Sequence, residues 1–224
     1  MTSPSGPTAT AQPPFSQRLR ERSLSLHRDA EGSTYLTALT SGHLDLGAYA
    51  ALVAQHAVIY QALERVGAGL ADDLVAGPFH FPQLNRSLVL EADLAYLRSV
   101  GVEIPESTAA TLRYAGRLEE LATWPGGFIA HHYVRYLGDL SGGQAIGRLV
   151  ASAYGLDKNG VRFYTFEQIP AVKPFKDRYR TLLDETPFDV REQDQVLEEV
   201  LLAYRFNVDV LASLAELVQP PVAS

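Results

Sequence analysis

Apolar residues recur at three- and four-residue spacing along most of this chain, and this helical period constrains the fold more than any other feature. The pattern is strongest over residues 45–66, where apolar and aromatic side chains follow one helix face. Asp45 precedes that run and is expected to cap the helix. No apolar–polar alternation recurs often enough to build a sheet. The sequence therefore predicts an all-α fold.

Glycine and proline residues mark the breaks between the helices. Further helices are predicted over residues 16–31, 84–100, 107–121, 128–154, 174–184 and 188–217. We interpret residues 155–172 mostly as loop, although VRFYTF resembles a strand. Because no internal repeat or second core is visible, residues 16–218 are expected to form one domain. A disordered tail over 1–15, rich in Pro, Ser and Thr, and a short tail over 219–224 complete the prediction.

Composition excludes several classes of function. The formal net charge of −7 argues against a bulk affinity for nucleic acid or anionic membranes. The absence of cysteine excludes disulfides, thiolate nucleophiles and thiolate-ligated metal centres. No stretch reaches about 18 consecutive apolar residues, so no membrane span is expected. The N-terminus lacks the features of a signal peptide, which makes a cytoplasmic location the default expectation.

The stretch YVRYLGDLSGGQAIGRLV, residues 133–150, has a helical period but contains four glycines. Each glycine costs a helix interior roughly 0.5–1 kcal/mol relative to alanine. On a helix, Arg135, Gly138, Asp139 and Gly142 fall on or near one face, which leaves a strip of bare backbone. This strip could pack closely against another helix or admit a flat ligand. Gly142 and Gly143 also predict a kink.

The segment HHYVRYLGDLSGGQ, residues 131–144, resembles the signature of haem oxygenases. The resemblance extends to LHRDAE at 26–31, IYQALE at 59–64, the FYTFEQI and FKDRYR segments within 163–180, and YRFNVDVLASL at 204–214. It therefore covers the chain from about residue 16 to 217. It implies a multi-helical fold in which haem lies between a proximal helix and a kinked, glycine-rich distal helix.

The resemblance implies that His27 is the proximal iron ligand, and haem iron is commonly held by a neutral imidazole. Glu31 follows one helical turn later, and we expect it to hold the imidazole as a hydrogen-bond acceptor. His131 and His132 are left out of the site, because iron must keep an open position for dioxygen.

On the distal side the resemblance assigns Asp139 to ordering water molecules that deliver protons toward dioxygen. Arg135 and Tyr60 are candidates for the same polar network, although either could be structural. Gly138, Gly142 and Gly143 would let the backbone pass over the porphyrin and direct dioxygen toward the ring edge. Gly147 is interpreted as a packing residue.

Cations are expected at the mouth of the site, because haem carries two propionates. Arg20, Lys176 and Arg180 match the propionate-anchoring positions of the family, with Tyr133 as a further candidate. The family often has lysine where this chain has Arg20, which leaves the cleaved meso carbon open. Phe206 and Asn207 are expected to contribute to the pocket wall.

The implied reaction converts haem b, which is both cofactor and substrate, to biliverdin, carbon monoxide and Fe²⁺. It consumes dioxygen and electrons, and the chain has no nucleotide-binding fingerprint after a predicted strand. We therefore expect an external donor, either a ferredoxin or a flavoprotein reductase, and a possible biliverdin acceptor. No membrane anchor is expected.

Two alternatives come from other classes of function. One is a haem carrier or sensor that does not degrade its ligand. The other is a different enzyme on the same architecture, such as a thiamin-salvage hydrolase, although such an enzyme usually has a nucleophilic cysteine.

Overall fold

The computed structural model describes residues 12–218, apart from the side chains of Asp29 and Glu31, and this part of the chain contains helices and no strand. The α-helices are α1 (Phe15–Glu31), α2 (Thr34–Thr40), α3 (Leu46–Gly69), α4 (Ser87–Ser99), α5 (Ala109–Glu120), α6 (Pro125–His132), α7 (Gln144–Tyr154), α8 (Val172–Glu185) and α9 (Val190–Val218). The prediction of an all-α fold is therefore confirmed. The predicted tail over 219–224 and residues 1–11 of the other tail lie outside the described residues.

Helix α3 forms the centre of the core. Its side chains are buried almost continuously from Ala48 to Val66, and it packs against α4, α5, α6 and α9. Asp45 caps it as predicted, because its Oδ1 atom accepts a hydrogen bond of 2.8 Å from the Ala48 N–H. Although α3 is long and apolar enough to cross a membrane, 72% of its apolar window is buried inside the protein. These contacts make it a core helix.

Helices α1 and α9 pack side by side along the core, and α8 covers the start of α1. Phe15 and Leu19 bury one face of α1. The Asp184 carboxylate of α8 accepts hydrogen bonds of 2.7 and 3.0 Å from the backbone N–H and hydroxyl of Ser16. These contacts hold α1 in position, one residue earlier than the helix start that periodicity predicts.

The glycine-rich helix, which we define as residues 125–154, is continuous but not uniformly α-helical. Two π-helical segments, Tyr133–Leu137 and Asp139–Gly143, join α6 to α7. A π-turn widens the helix by one residue and re-aims the side chains that follow, and such segments are frequent at functional sites. Gly142 and Gly143, where the sequence predicts a kink, lie within the second widened segment.

The structure differs from the sequence prediction in one local element. The short helix α2 was not predicted, and its N-cap is Ser33, whose hydroxyl accepts from the Leu36 N–H. The VRFYTF segment lies in the predicted loop and forms a 3₁₀ turn at Arg162–Tyr164. The Asp93 carboxylate holds that turn by accepting from the backbone N–H groups of Arg162 and Phe163 at 3.0 and 2.9 Å.

Candidate active site

One cavity brings together the predicted iron ligand and five of the six residues predicted on the distal side. Its empty space is about 890 Å³, a volume that includes open solvent at its mouth. Helix α1 contributes His27, and the glycine-rich helix contributes Arg135, Gly138, Asp139, Gly142 and Gly143. The rest of the wall is largely apolar and includes Leu36, Leu52, Ile59, Ile146, Phe163 and Leu211.

The α1 side of the cavity presents an imidazole. His27 is half-buried, and its ring meets the Tyr204 ring of α9 edge to face at a centroid distance of 5.9 Å. This contact restrains the orientation of the imidazole, and Ala30 borders the cavity one turn further along α1. The predicted partner Glu31 lies outside the described side chains.

The glycine side of the cavity presents bare backbone. Within the part of the chain that the structure describes, a Cβ atom built on Gly138 would have no neighbouring atom within 4 Å, so open space rather than another helix lies beside this glycine. Gly147 is different, because its Cβ would stand 2.6 Å from the Cβ of Tyr164. Close packing therefore explains Gly147, whereas Gly138 and Gly142 border the cavity.

A buried polar group lies next to the bare backbone. The Tyr60 hydroxyl donates a hydrogen bond to the Asp139 carboxylate. Burial raises the pKa of Asp139 above its ordinary value, although the Arg135 charge and the Tyr60 hydrogen bond oppose that shift. Burial also raises the pKa of Tyr60 well above its ordinary value, so this phenol stays protonated and remains a donor. Asp139 is therefore a carboxyl group inside the cavity, not half of a surface ion pair.

Arg135 completes this polar group. Its guanidinium lies over the Tyr60 ring at 4.7 Å, and its Nη1 donates to the Asn207 Oδ1 at 2.5 Å. Burial lowers the pKa of Arg135, but Tyr60 and Asp139 outweigh that effect and hold the pKa above its ordinary value. The Nε and Nη2 atoms of Arg135 are buried and have no hydrogen-bond partner among the described residues. A permanently charged donor thus stands beside the carboxyl group.

A second recess joins the cavity to the surface at His27, Gly138 and Tyr204. Its wall carries Arg20, Tyr133, Lys176 and Arg180, the residues predicted to bind propionates. Lys176 donates to the Ser141 hydroxyl at 3.1 Å, and Arg180 pairs with Asp177 at 2.8 Å. Cations therefore stand at the mouth of the cavity, where an anionic ligand edge would meet solvent.

The structure does not bring Phe206 to the cavity, and the prediction that it binds the cofactor is corrected. Its ring stacks on Tyr114 of α5, with centroids 5.0 Å apart and planes 8° apart. Phe206 is not among the residues that line the cavity, whereas Asn207 of the same helix is. Asn207 and Tyr204 are the polar residues that α9 contributes to the cavity.

His131 and His132 lie outside the cavity, in hydrogen bonds of their own. His131 places its Nε2 2.8 Å from Glu199 and its Nδ1 3.3 Å from the Tyr114 hydroxyl. His132 places its Nδ1 2.8 Å from the Tyr179 hydroxyl, and burial lowers its pKa to about 3. Both imidazoles are structural.

Sequence reasoning missed His56 as a cavity residue. His56 lies on α3 between Leu52 and Ile59, and all three line the cavity. The helical period places this histidine on an apolar face, and that misplaced polarity was the only available signal. Tyr204 was also missed, because its contact with His27 joins residues far apart in sequence.

The fold and the cavity together define a class: an all-α protein whose cavity is bordered by an imidazole and by bare glycine backbone, with cations at its mouth. The family model for heme oxygenase matches residues 13–213, and the chain belongs to this family. It is 32% identical over 202 residues to "Heme oxygenase 1" of Synechocystis sp. PCC 6803, covering 89% of this chain and 84% of that protein.

Solved structures agree with this assignment. A crystal structure of heme oxygenase-1 from Synechocystis sp. PCC 6803 in complex with heme matches at a TM-score of 0.86 and 30% identity, covering 92% of this chain and 94% of that chain. A TenA homologue from Pyrococcus furiosus matches at a TM-score of 0.66 but at 12% identity, over 89% of this chain and 99% of that chain. The second likeness shows the fold alone.

Proposed function

We propose that this chain binds haem in the cavity and cleaves it to biliverdin, carbon monoxide and Fe²⁺, using dioxygen and electrons. The observation that carries the proposal is that His27, Gly138 and Asp139 border one cavity. The residues present fit haem: an imidazole can ligate the iron, apolar side chains can cover the ring, and cations stand at the mouth. When bound, haem supplies the iron chemistry and the carbon skeleton that is cut.

His27 would hold the iron, and the edge contact with Tyr204 would limit rotation of its imidazole. Gly138 and Gly142 would cover the other face of the porphyrin with backbone alone. This arrangement leaves room for a small ligand while its close walls limit the directions in which that ligand can lean. Orientation of this kind can select one ring edge for attack.

Asp139 would hold and release the protons that the reaction requires. A carboxyl group whose pKa is raised by burial exchanges protons closer to neutral pH than an exposed one. Tyr60 fixes the carboxylate by donating a hydrogen bond to it. Arg135 keeps a positive charge next to it, which limits how far the pKa rises.

We further propose that electrons come from an external donor, either a ferredoxin or a flavoprotein reductase, and that the protein works in the cytoplasm. The open mouth of the cavity supports the first point, since Arg20, Lys176 and Arg180 surround it with positive charge. Electrostatic attraction of this kind speeds the approach of an acidic partner. A biliverdin acceptor would take the product at the same opening.

An absorption time course tests the proposed function. The purified protein is mixed with one equivalent of hemin in air, and ascorbate is added as the electron source. We expect a Soret band that is replaced by the spectrum of biliverdin, with carbon monoxide released in equal amount. A Soret band that persists would make the protein a haem carrier or sensor. Failure to bind hemin would mean that this fold serves another function here. Thiamin salvage is one such function, although the chain lacks a cysteine nucleophile for it.

A further inference from the structure

His56 stands out among the cavity residues because it is a polar side chain on an otherwise apolar helix face. Leu52, His56 and Ile59 follow one another at helical spacing on α3 and border the cavity together. His56 retains some accessible surface although α3 lies in the core, so that surface opens into the cavity. An apolar residue would complete this face, and histidine is the exception.

The ring of His56 is held by aromatic neighbours and not by hydrogen bonds. It packs on Phe163 at a centroid distance of 5.0 Å and meets Tyr60 edge to face at 6.3 Å. Within residues 12–218 no protein group forms a hydrogen bond with either ring nitrogen. Burial and the Arg135 charge lower the pKa of His56 well below its ordinary value, so the ring is neutral, with one N–H donor and one acceptor nitrogen.

Arg135, on the neighbouring wall, has hydrogen-bond donors that no described residue satisfies. Its Nε and Nη2 atoms are donors without partners, while Asn207 takes only Nη1. Buried donors in native proteins are almost always satisfied by protein or by ordered water. The cavity therefore contains an unmatched acceptor on α3 and unmatched donors on the glycine-rich helix, and the carboxyl group of Asp139 lies in the same cavity.

We infer that His56 is a positioning residue of the distal cavity, which, together with the unpartnered N–H groups of Arg135, holds ordered water beside Asp139. A water molecule can hydrogen-bond with both residues, because it accepts from the Arg135 N–H groups and donates to the acceptor nitrogen of the His56 imidazole. The water held there would exchange protons with Asp139 and so keep this carboxyl group supplied between turnovers. This inference rests on the proposed function for its role in turnover, but not for the water itself.

The first test is therefore structural and needs no haem. A high-resolution crystal structure of the haem-free protein should show an ordered water about 2.7–3.2 Å from a His56 ring nitrogen and from Nε or Nη2 of Arg135. The His56→Leu variant should lose that water. If the wild-type cavity shows no ordered water within hydrogen-bonding distance of the His56 ring, the inference is wrong, whatever the activity of the protein.

The second test compares His56→Leu with His56→Gln in the hemin complex. Glutamine keeps a hydrogen-bond donor and a hydrogen-bond acceptor, whereas leucine keeps only side-chain volume. We expect hemin affinity to stay within about twofold in both variants, while turnover falls about tenfold in His56→Leu, a change of about 1.4 kcal/mol in the barrier. His56→Gln should recover most of that loss, and the exposed His43→Leu should behave as the wild type.

A spectroscopic readout separates water retention from packing. The pH at which the visible spectrum of the ferric hemin complex changes should rise by about one unit in His56→Leu, because a drier cavity disfavours ionised groups beside the iron. Equal turnover loss in both variants without this shift would mean that the ring only packs, which overturns the inference. A wild-type protein that binds hemin without degrading it would refute the proposed function, while the water and the spectral shift would still decide this inference.

Discussion

Substituting Gly138 by alanine separates the two uses of glycine in the glycine-rich helix. A Cβ atom on Gly138 meets no atom within 4 Å, and the residue has helical backbone angles, φ −60° and ψ −52°. Alanine should therefore stabilise the haem-free protein by about 0.4–1 kcal/mol through the lower entropy of the unfolded chain. For a protein of this size, 1 kcal/mol corresponds to roughly 2–4 °C in Tm.

The same methyl group should impair the reaction, because the open space beside Gly138 belongs to the cavity. If overpacking, which costs about 1–3 kcal/mol, adds that amount to the barrier between the hemin complex and the transition state, turnover should drop about 5- to 150-fold. The measurements are thermal unfolding of the haem-free protein and initial rates of biliverdin formation with ascorbate.

Gly147→Ala is the matched control, since its Cβ would stand 2.6 Å from Tyr164 and border no open space. It should lower the stability of the haem-free protein by about 1–3 kcal/mol. A Gly138→Ala variant that unfolds as easily as Gly147→Ala, or that turns over hemin at the wild-type rate, would refute the assignment of Gly138 to the cavity wall.

Three further predictions concern charged and ionisable groups. Asp139→Asn should leave hemin affinity within about twofold but lower turnover by roughly 100-fold, measured by hemin titration and initial rates; an unchanged rate would remove Asp139 from proton delivery. Lys176→Ala should weaken hemin binding at most about fivefold, and less at high salt, because the group is near the surface; a salt-independent loss would contradict an electrostatic role. Burial raises the pKa of Glu199, but hydrogen bonds from His131 and Arg117 outweigh burial and lower this pKa from 4.5 to about 2. The ionised Glu199 carboxylate therefore stabilises the protein above pH 4.5, and this contribution is lost as the pH falls toward 2. In denaturant titrations, Glu199→Gln should lower the free energy of unfolding by roughly 3 kcal/mol at pH 7. Between pH 4.5 and 2, the free energy of unfolding should then fall less in this variant than in the wild type.

Periodicity predicted the long helices well because their apolar faces are defined by residues three and four apart. Helix α3 begins after the predicted cap Asp45 and buries the predicted face. Helix α2 escaped prediction because its seven residues are too short to establish a period. The VRFYTF segment was ambiguous, since its turn depends on the Asp93 carboxylate, about 70 residues earlier in the chain.

In the candidate site too, the spacing of residues close in sequence was predictive, whereas contacts between residues far apart in sequence left no local signal. The spacing of Arg135, Gly138, Asp139 and Gly142 predicted that they share one face, and all four border the cavity. No local pattern indicates that Tyr60 reaches Asp139, because 79 residues separate them, and only the resemblance suggested it.

The wrong prediction for Phe206 and the failure to predict His56 also have physical reasons. Phe206 lies between the cavity residues Tyr204 and Asn207 in sequence, but its ring stacks on Tyr114. His56 was hidden because a histidine within an apolar period gives no sign of whether its ring faces packed side chains or an internal cavity. The π-helical widening at residues 133–143 likewise leaves no signature in the spacing of side chains.

A crystal structure of the hemin complex tests the central claim most directly, because it shows on which sides of the porphyrin the named residues lie. We expect the iron to be bonded to the imidazole of His27, with the backbone of Gly138 and Gly142 over the opposite face and Asp139 on that same side. Iron bonded to another residue, or hemin lying outside the cavity that His27 and Gly138 share, would contradict the proposed function at its base.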